Sequence, residues 1–294
     1  MISAEQIRRI AREEKLAAGV VEKDYVLTWL LKGIYLVNSD LRDNFVLKGG
    51  TAIRKAYFPQ TWRFSEDLDF TVIEAWESEE IRGAMQQVLE TLRVESGINY
   101  SFESFHPTEG SIIANVQFVG PLNFTNRIKH DISLKEKMVL KPERRLIRTN
   151  YSDLSEFEIL SYSLKEILAE KIRSIMQRGY SRDYYDVWRL LKENQFKDAE
   201  IKRIVKKKCE LNDIEYKPSL LFDEKRLGEA RAFWEKGLLY LTKELPAFEI
   251  TIAEVKERLF SARMNGLKLF VRSWWGDVSS ACECLCLVGQ RVDF

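Results

Sequence analysis

The feature that most constrains the fold is a strand, a glycine turn and a helix in direct succession. Phe45, Val46 and Leu47 have the apolar character of a short buried strand, and Gly49-Gly50 breaks it. Residues 52–58 then return to helical spacing, and a second strand is predicted at 68–72. With a further helix over 78–95, the order is β-α-β-α, which predicts helices packed on a sheet.

The rest of the chain extends this pattern and then becomes helical. Helices are predicted before the first strand at 3–15, with Ser3 and Gln6 as a capping box, and at 24–35. Further strands are predicted at 100–105, 111–119, 127–134 and 157–162, and further helices at 163–178, 182–193, 198–209, 227–241 and 252–259. We expect an α+β fold: a mixed-sheet domain with N-terminal helices (1–162), a helical domain that completes the active site (163–269), and a C-terminal tail (270–294) that we leave unassigned.

Composition excludes some classes of function and leaves others open. Lys plus Arg (46) nearly balances Asp plus Glu (45), so there is no global basic field, although a local patch for nucleic acid is compatible with this balance. No apolar run is long enough for a membrane helix, and residues 1–12 lack the apolar core of a secretory signal, so we expect a cytoplasmic protein. The cysteines (Cys209, Cys282, Cys284, Cys286) are expected to be reduced, and two histidines without a CxxC pair argue against zinc. Any metal is expected on oxygen ligands.

Three aspartates have the placement of a metal site. Side chains two apart in a strand share a face, so Asp67 and Asp69 point together. In the 127–134 strand, Asp131 lies on the polar face and His130 on the apolar face, where a core histidine is expected. Asp67, Asp69 and Asp131 are therefore predicted to bind Mg²⁺ or Mn²⁺, with Asp131 as a ligand or a base. The alternative for Asp67 and Asp69 is a solvated turn at a strand end.

The glycine turn suggests a phosphate site. Gly49, Gly50 and Thr51 stand where a helix begins, so free backbone N–H groups and the helix dipole favour an anion there. The alternative is a plain connection between strand and helix.

Two opposite charges lie on apolar helix faces. Lys171 falls within the core stripe of the 163–178 helix, and Asp183 lies on the same face as Val187, with Asp186 at its edge. One interpretation is a Lys171–Asp183 salt bridge that locks the helices together. The other is that Lys171 binds a triphosphate while Asp183 orients either the lysine or the nucleotide, and both interpretations can hold at once.

Other cations could contact phosphate or nucleic acid. Arg178 and Arg182 flank the predicted site. A basic run ends the 198–209 helix, and it is either a solvated face or a patch for RNA: Lys202, Arg203, Lys206, Lys207, Lys208.

Two separated motifs carry a family resemblance. One begins at Leu47-Lys48-Gly49-Gly50-Thr51-Ala52-Ile53 and continues at Arg63-Phe64-Ser65-Glu66-Asp67-Leu68-Asp69-Phe70; the other is Leu168-Ala169-Glu170-Lys171-Ile172-Arg173 with Arg182-Asp183-Tyr184-Tyr185-Asp186-Val187-Trp188. Together they resemble the AbiEii/AbiGii toxin family of nucleotidyltransferases, over roughly residues 19–241. The resemblance implies a polymerase-beta-like nucleotidyltransferase fold with a helical second domain. It also implies that Gly50, Thr51, Asp67, Asp69, Lys171 and Asp183 are active-site positions.

The function expected from these features is metal-dependent transfer of a nucleoside monophosphate from a nucleoside triphosphate (NTP) to an acceptor. We expect Asp67, Asp69, Asp131, Lys171 and Asp183 to be catalytic, and the nucleotide to be bound by Gly49, Gly50, Thr51, Lys171 and Arg178. By resemblance, the acceptor is RNA such as tRNA, and the protein is the toxin of a toxin–antitoxin or abortive-infection pair whose antitoxin is encoded nearby. Two alternatives remain open: a catalytically silent regulator that binds NTP or RNA, and a kinase-like phosphotransferase.

Overall fold

A computed structural model of the chain describes residues 1–260, so the tail 270–294 with Cys282, Cys284 and Cys286 lies outside the described residues. Within this range the strands form one seven-stranded sheet in the order β3-β4-β5-β2-β1-β7-β6. The β2–β5 and β1–β7 pairs are parallel and the other pairs antiparallel, so the predicted α+β class with a mixed sheet is confirmed. The strands are β1 Phe45–Lys48, β2 Asp67–Val72, β3 Asn99–Pro107, β4 Ser111–Val119, β5 Thr125–Ser133, β6 Glu143–Ile147 and β7 Phe157–Ser161.

Helices precede the sheet, interrupt it and follow it. The helices are α1 Ala4–Glu14, α2 Ala18–Leu36, α3 Ser39–Asn44, α4 Gly49–Ala52, α5 Ser78–Ser96, α6 Leu164–Gln177, α7 Ser181–Glu193, α8 Asp198–Leu211, α9 Glu224–Ala232, α10 Trp234–Leu238 and α11 Phe248–Phe260. A π-helical turn, Ile53–Tyr57, continues α4, and 3₁₀ turns lie at Pro218–Phe222 and Leu239–Leu241. None of the helices within residues 1–260 has the length and apolar character needed to cross a membrane.

The π-helical turn after the glycines is anchored to the buried helix α2. Asp24 of α2 binds Arg54 Nε at 3.0 Å and Lys55 Nζ at 2.7 Å. All three side chains are buried, and burial lowers the pKa of Lys55 to about 8 despite the nearby carboxylate. Because an unpaired buried charge is costly, these contacts hold the helical segment that follows Gly49 in a defined position.

The alternating pattern of β5 is observed as predicted. Ile128, His130 and Ile132 are fully buried, while the residues between them lie on the other face. His130 Nδ1 lies 3.3 Å from the Ile128 carbonyl oxygen, and burial lowers the pKa of His130 to about 4. The prediction of a core histidine is confirmed.

Three elements differ from the sequence prediction. Helix α3 was not predicted; it is a short helix capped by the Asn38 side chain. Strand β6 was also not predicted, because it is an edge strand that begins with charged residues. The helix predicted over 227–241 is broken at Phe233, which allows Trp234 to be buried and to donate to the Pro246 carbonyl oxygen at 2.9 Å.

Candidate active site

The carboxylates Asp67, Asp69 and Asp131 come from two adjacent parallel strands. In β2, Leu68 is fully buried while Asp67 and Asp69 lie together on the partly exposed face. The register of β2 with β5 places Asp69 directly beside Asp131. The strand pattern therefore predicted the relative placement of all three side chains.

Burial raises the pKa of both Asp69 and Asp67, and the neighbouring carboxylates add to the shift at Asp69. Burial raises the pKa of Asp69 to about 6; Lys48 opposes this shift, and the charges of Asp67 and Asp131 add to it. Burial likewise raises the pKa of Asp67, against the opposing charge of Lys23. Clustered carboxylates of this kind favour a bound cation or a proton.

The arrangement is not that of a closed metal site. Among residues 1–260, no three Asp, Glu, His or Cys side chains are gathered closely enough to hold a metal ion. Asp131 Oδ2 is paired instead with Lys129 Nζ at 3.0 Å, and 34% of the Asp131 side chain is exposed. The donor set, carboxylate oxygens with unfavourable mutual repulsion, nevertheless fits Mg²⁺ or Mn²⁺ in its chemistry.

The glycine turn is packed directly against the carboxylates. Gly49 has φ of 71°, and a Cβ built there would lie 2.5 Å from Asp69 Oδ2, so both conformation and space require glycine. The Thr51 hydroxyl donates to the Asp67 carbonyl oxygen at 2.5 Å. A Cβ at Gly50 would lie 2.8 Å from Arg63 Nη2. The turn thus ties the start of α4 to β2.

A cavity of about 220 Å³ lies between these strand ends and helix α6. It brings together five of the predicted site residues: Gly49, Asp69, Asp131, Lys171 and Arg178. The other four predicted residues do not line it. Of these, Gly50 and Thr51 are buried in the turn, Asp183 is buried behind Lys171, and Asp67 is half-buried beside Asp69.

Lys171 belongs to a buried ionic network that connects three segments of the chain. Its Nζ lies 2.8 Å from Asp183 Oδ1 and 3.0 Å from Asp186 Oδ2. Arg63 binds Asp186 through two hydrogen bonds, of 2.8 and 2.7 Å, and Arg178 Nε lies 3.3 Å from Asp183. Burial alone would lower the pKa of Lys171, but the two aspartates outweigh it and raise that pKa. Three cations against two carboxylates leave one net positive charge beside the cavity.

This network confirms one prediction and corrects another. The Lys171–Asp183 salt bridge is present. Asp186 was expected at the edge of its helix face, but it is fully buried, because Arg63 and Lys171 both bind it. Arg63 was missed as a partner, although its place four residues before Asp67 in a distinctive motif was a usable signal.

A second buried network contributes Lys48, Glu136 and Glu170 to the lining of the same cavity, and sequence reasoning missed it. Lys48 donates to Ser133 Oγ at 3.0 Å and pairs closely with Glu136. Lys208 is fully buried, 3.2 Å from Glu170, and it also contacts Glu136 and Glu166. Burial raises the pKa of Glu170, but Lys208 and Lys48 outweigh it and bring that pKa down to about 2.

The lysine-rich sequence around Lys208 suggested an exposed basic face, but Lys208 is buried and does not belong to one. Two features indicated that these lysines are buried, one for Lys48 and one for Lys208. Lys48 ends a strand whose four residues are all buried. Lys208 lies four residues after Ile204 and three after Val205, on the inward face of α8.

Comparisons with known proteins agree with this geometry. The family model described as nucleotidyl transferase AbiEii toxin of a type IV toxin–antitoxin system matches residues 29–258, most of the chain. A search of curated proteins gave no match. The fold is similar to that of MenT4, a nucleotidyltransferase toxin from Mycobacterium tuberculosis, with a TM-score of 0.65, 17% sequence identity and coverage of 88% of this chain and 89% of that chain. The chain therefore belongs to the AbiEii family of nucleotidyltransferase toxins of type IV toxin–antitoxin systems.

Proposed function

We propose that the protein transfers a nucleoside monophosphate from an NTP to an RNA acceptor, in a reaction that depends on Mg²⁺ or Mn²⁺. The observation that carries the proposal is the group Asp67, Asp69 and Asp131 on adjacent strands, with the pKa of Asp69 raised to about 6. The acceptor is RNA of the tRNA class, and the site of action is the cytoplasm, where both substrates are found. A cognate antitoxin encoded nearby would restrain this activity.

Asp67 and Asp69 would hold the divalent cation, and Asp131, which lies beside Asp69, would join them as a third ligand once it is released from Lys129. When bound, the cation supplies positive charge to the triphosphate and to the attacking oxygen. It also relieves the repulsion among the carboxylates.

The chain's own residues have distinct tasks in the transfer. The acceptor hydroxyl oxygen bonds to the α-phosphorus, the bond from that phosphorus to the bridging oxygen of the β-phosphate breaks, and pyrophosphate leaves. Asp131, whose side chain is 34% exposed, takes the hydroxyl proton. Lys171 and Arg178, which line the cavity, hold the departing phosphates, and Asp183 keeps both cations in place.

The glycine turn adds backbone N–H donors to the positive charge of Lys171 and Arg178. The helical segment that begins at Gly49 and continues through the π-helical turn to Tyr57 leaves its first N–H groups without partners inside the helix. Such groups favour phosphate oxygens. In this proposal they position the triphosphate, while the Thr51 hydroxyl keeps the turn on β2.

The proposal is tested by incubating purified protein with Mg²⁺, total cellular RNA and each α-labelled NTP in turn, and separating the products on a gel. We expect label on a small RNA with at least one NTP, and its loss in Asp69→Asn. Asp40→Asn, at an exposed position in α3, serves as the matched control and should label RNA like the wild type. Labelling that persists in Asp69→Asn would contradict the assigned site. NTP binding without labelling of any RNA would favour the binding regulator.

A further inference from the structure

Three exposed aromatic residues lie on two contacting segments of the chain near the cavity. Tyr180 is 59% exposed, Phe233 58% and Tyr240 39%. They come from two segments that contact each other at the start of α7. Ser181 Oγ donates to the Phe233 carbonyl oxygen at 3.3 Å, and Arg182 Nε donates to the Gly237 carbonyl oxygen at 3.1 Å. Exposed aromatic rings gathered in this way mark a contact surface.

Each of these rings has a cation beside it. The Arg178 guanidinium lies 4.7 Å from the Tyr180 ring centroid, the Arg182 guanidinium 5.8 Å from that of Tyr240, and Lys236 Nζ 6.0 Å from that of Phe233. We call this surface the stacking face; it comprises Arg178, Tyr180, Arg182, Phe233, Lys236 and Tyr240.

Three of the six residues of the stacking face are cations: Arg178, Arg182 and Lys236. Arg178 is paired with Asp183, and Arg182 with Glu66 at 2.8 Å. Lys23 lies 3.8 Å from the same Glu66. Glu235 directly precedes Lys236, so these cations offer local contacts to the phosphates of a polyanion rather than a strong positive field.

The stacking face is continuous with the cavity. Arg178 belongs to both, because it lines the cavity and also lies against Tyr180. At the other end, Tyr240 donates to Glu66 Oε2 at 2.6 Å, and Glu66 directly precedes Asp67. A chain lying along the stacking face therefore reaches the carboxylates at its end.

We propose that the stacking face holds the single-stranded end of the acceptor RNA, with unpaired bases on Tyr180 and Phe233 and phosphates near Arg182 and Lys236. This inference rests on the proposed function and adds the form of its acceptor. Aromatic rings that stack on bases require bases that are not already paired and stacked, so a single strand fits this surface and a duplex does not. The hydrogen bonds of Arg182 and Tyr240 to Glu66 hold that part of the surface in place before RNA arrives.

The test is fluorescence anisotropy with a labelled single-stranded RNA of about 12 nucleotides, and the same sequence as a blunt duplex. The double variant Tyr180→Ala/Phe233→Ala removes two rings, so its Kd for the single strand should rise at least about tenfold. The matched control is Phe124→Ala, which removes a ring that is 72% exposed at the opposite end of β5 from Asp131; its Kd should match the wild type. Lys236→Gln should reduce the salt dependence of binding by about 0.7 in log–log slope.

The outcomes separate this inference from the proposed function. If the wild type labels RNA but the double variant keeps the wild-type Kd and KM for RNA, the stacking face is wrong and the transfer reaction stands. If no NTP labels RNA yet the double variant loses single-strand binding, the stacking face stands and the transfer reaction falls. Equal affinity for the duplex and the single strand would overturn the inference. The inference would also be overturned if the double variant lost binding to a protein partner while it kept the wild-type Kd for single-stranded RNA.

Discussion

Asp69 should destabilise the folded protein at neutral pH, so replacing it with asparagine should stabilise the chain while abolishing transfer. Its pKa is raised from 3.8 to about 6, mainly by burial. That difference corresponds to at most about 3 kcal/mol. Solvent in the cavity reaches the side chain, so we expect about 1.5 kcal/mol to remain. For a chain of this length the melting temperature should rise by about 3 °C.

The sign follows from the protonation states. A raised carboxyl pKa means that the folded state binds the proton more tightly than the unfolded state. The contribution of Asp69 to wild-type stability should therefore fall as pH rises from about 4 to about 6 and remain at the lower level above that. Asp69→Asn lacks this loss of stability. The variant should therefore be more stable than the wild type at pH 7.5 and nearly equal to it near pH 4.

Thermal unfolding at both pH values, with and without Mg²⁺, measures these differences. Saturating Mg²⁺ should stabilise the wild type by about 2.7 kcal/mol at one hundred times its Kd and leave Asp69→Asn unchanged, which reverses their order. The control Asp40→Asn should stay within about 0.5 kcal/mol of the wild type. An Asp69→Asn protein that is less stable than the wild type at pH 7.5 without metal would refute the reasoning.

Two further substitutions probe the surroundings of the site. Asp186→Ala removes the shared partner of buried Arg63 and Lys171 and should lower the free energy of unfolding by about 3–5 kcal/mol; an unchanged urea midpoint would contradict this. Gly49→Ala places a methyl group 2.5 Å from Asp69 Oδ2 and should abolish RNA labelling. The control is Gly97→Ala, because Gly97 also has φ of 71° but a Cβ there would meet nothing within 4 Å. This variant should lose stability and keep full RNA labelling. An equal loss of labelling in both variants would count against the steric argument.

Local periodicity was sufficient to predict the carboxylate group. A period of two placed Asp67 and Asp69 on one face, and the same rule put Asp131 on the polar face of β5. The helical period likewise identified Lys171 and Asp183 as inward charges, and they bind each other. Each of these predictions depends on residues within one element.

Partners that are distant in sequence could not be predicted in this way. Arg63 and Asp186 are 123 positions apart, and only the packing of α7 against the segment before β2 brings them together. Lys208 meets Glu136 and Glu170 because α8 packs on α6, and local lysine content concealed that contact. These long-range ion pairs, rather than the secondary structure, were the part of the site that sequence reasoning missed.

The most direct measurement of the central claim compares NTPs labelled at the α and γ positions with the same RNA, protein and Mg²⁺. Nucleotidyl transfer predicts that RNA gains label from the α position alone and that γ label appears in pyrophosphate. Label transferred to RNA from the γ position would contradict the claim and identify a phosphotransferase.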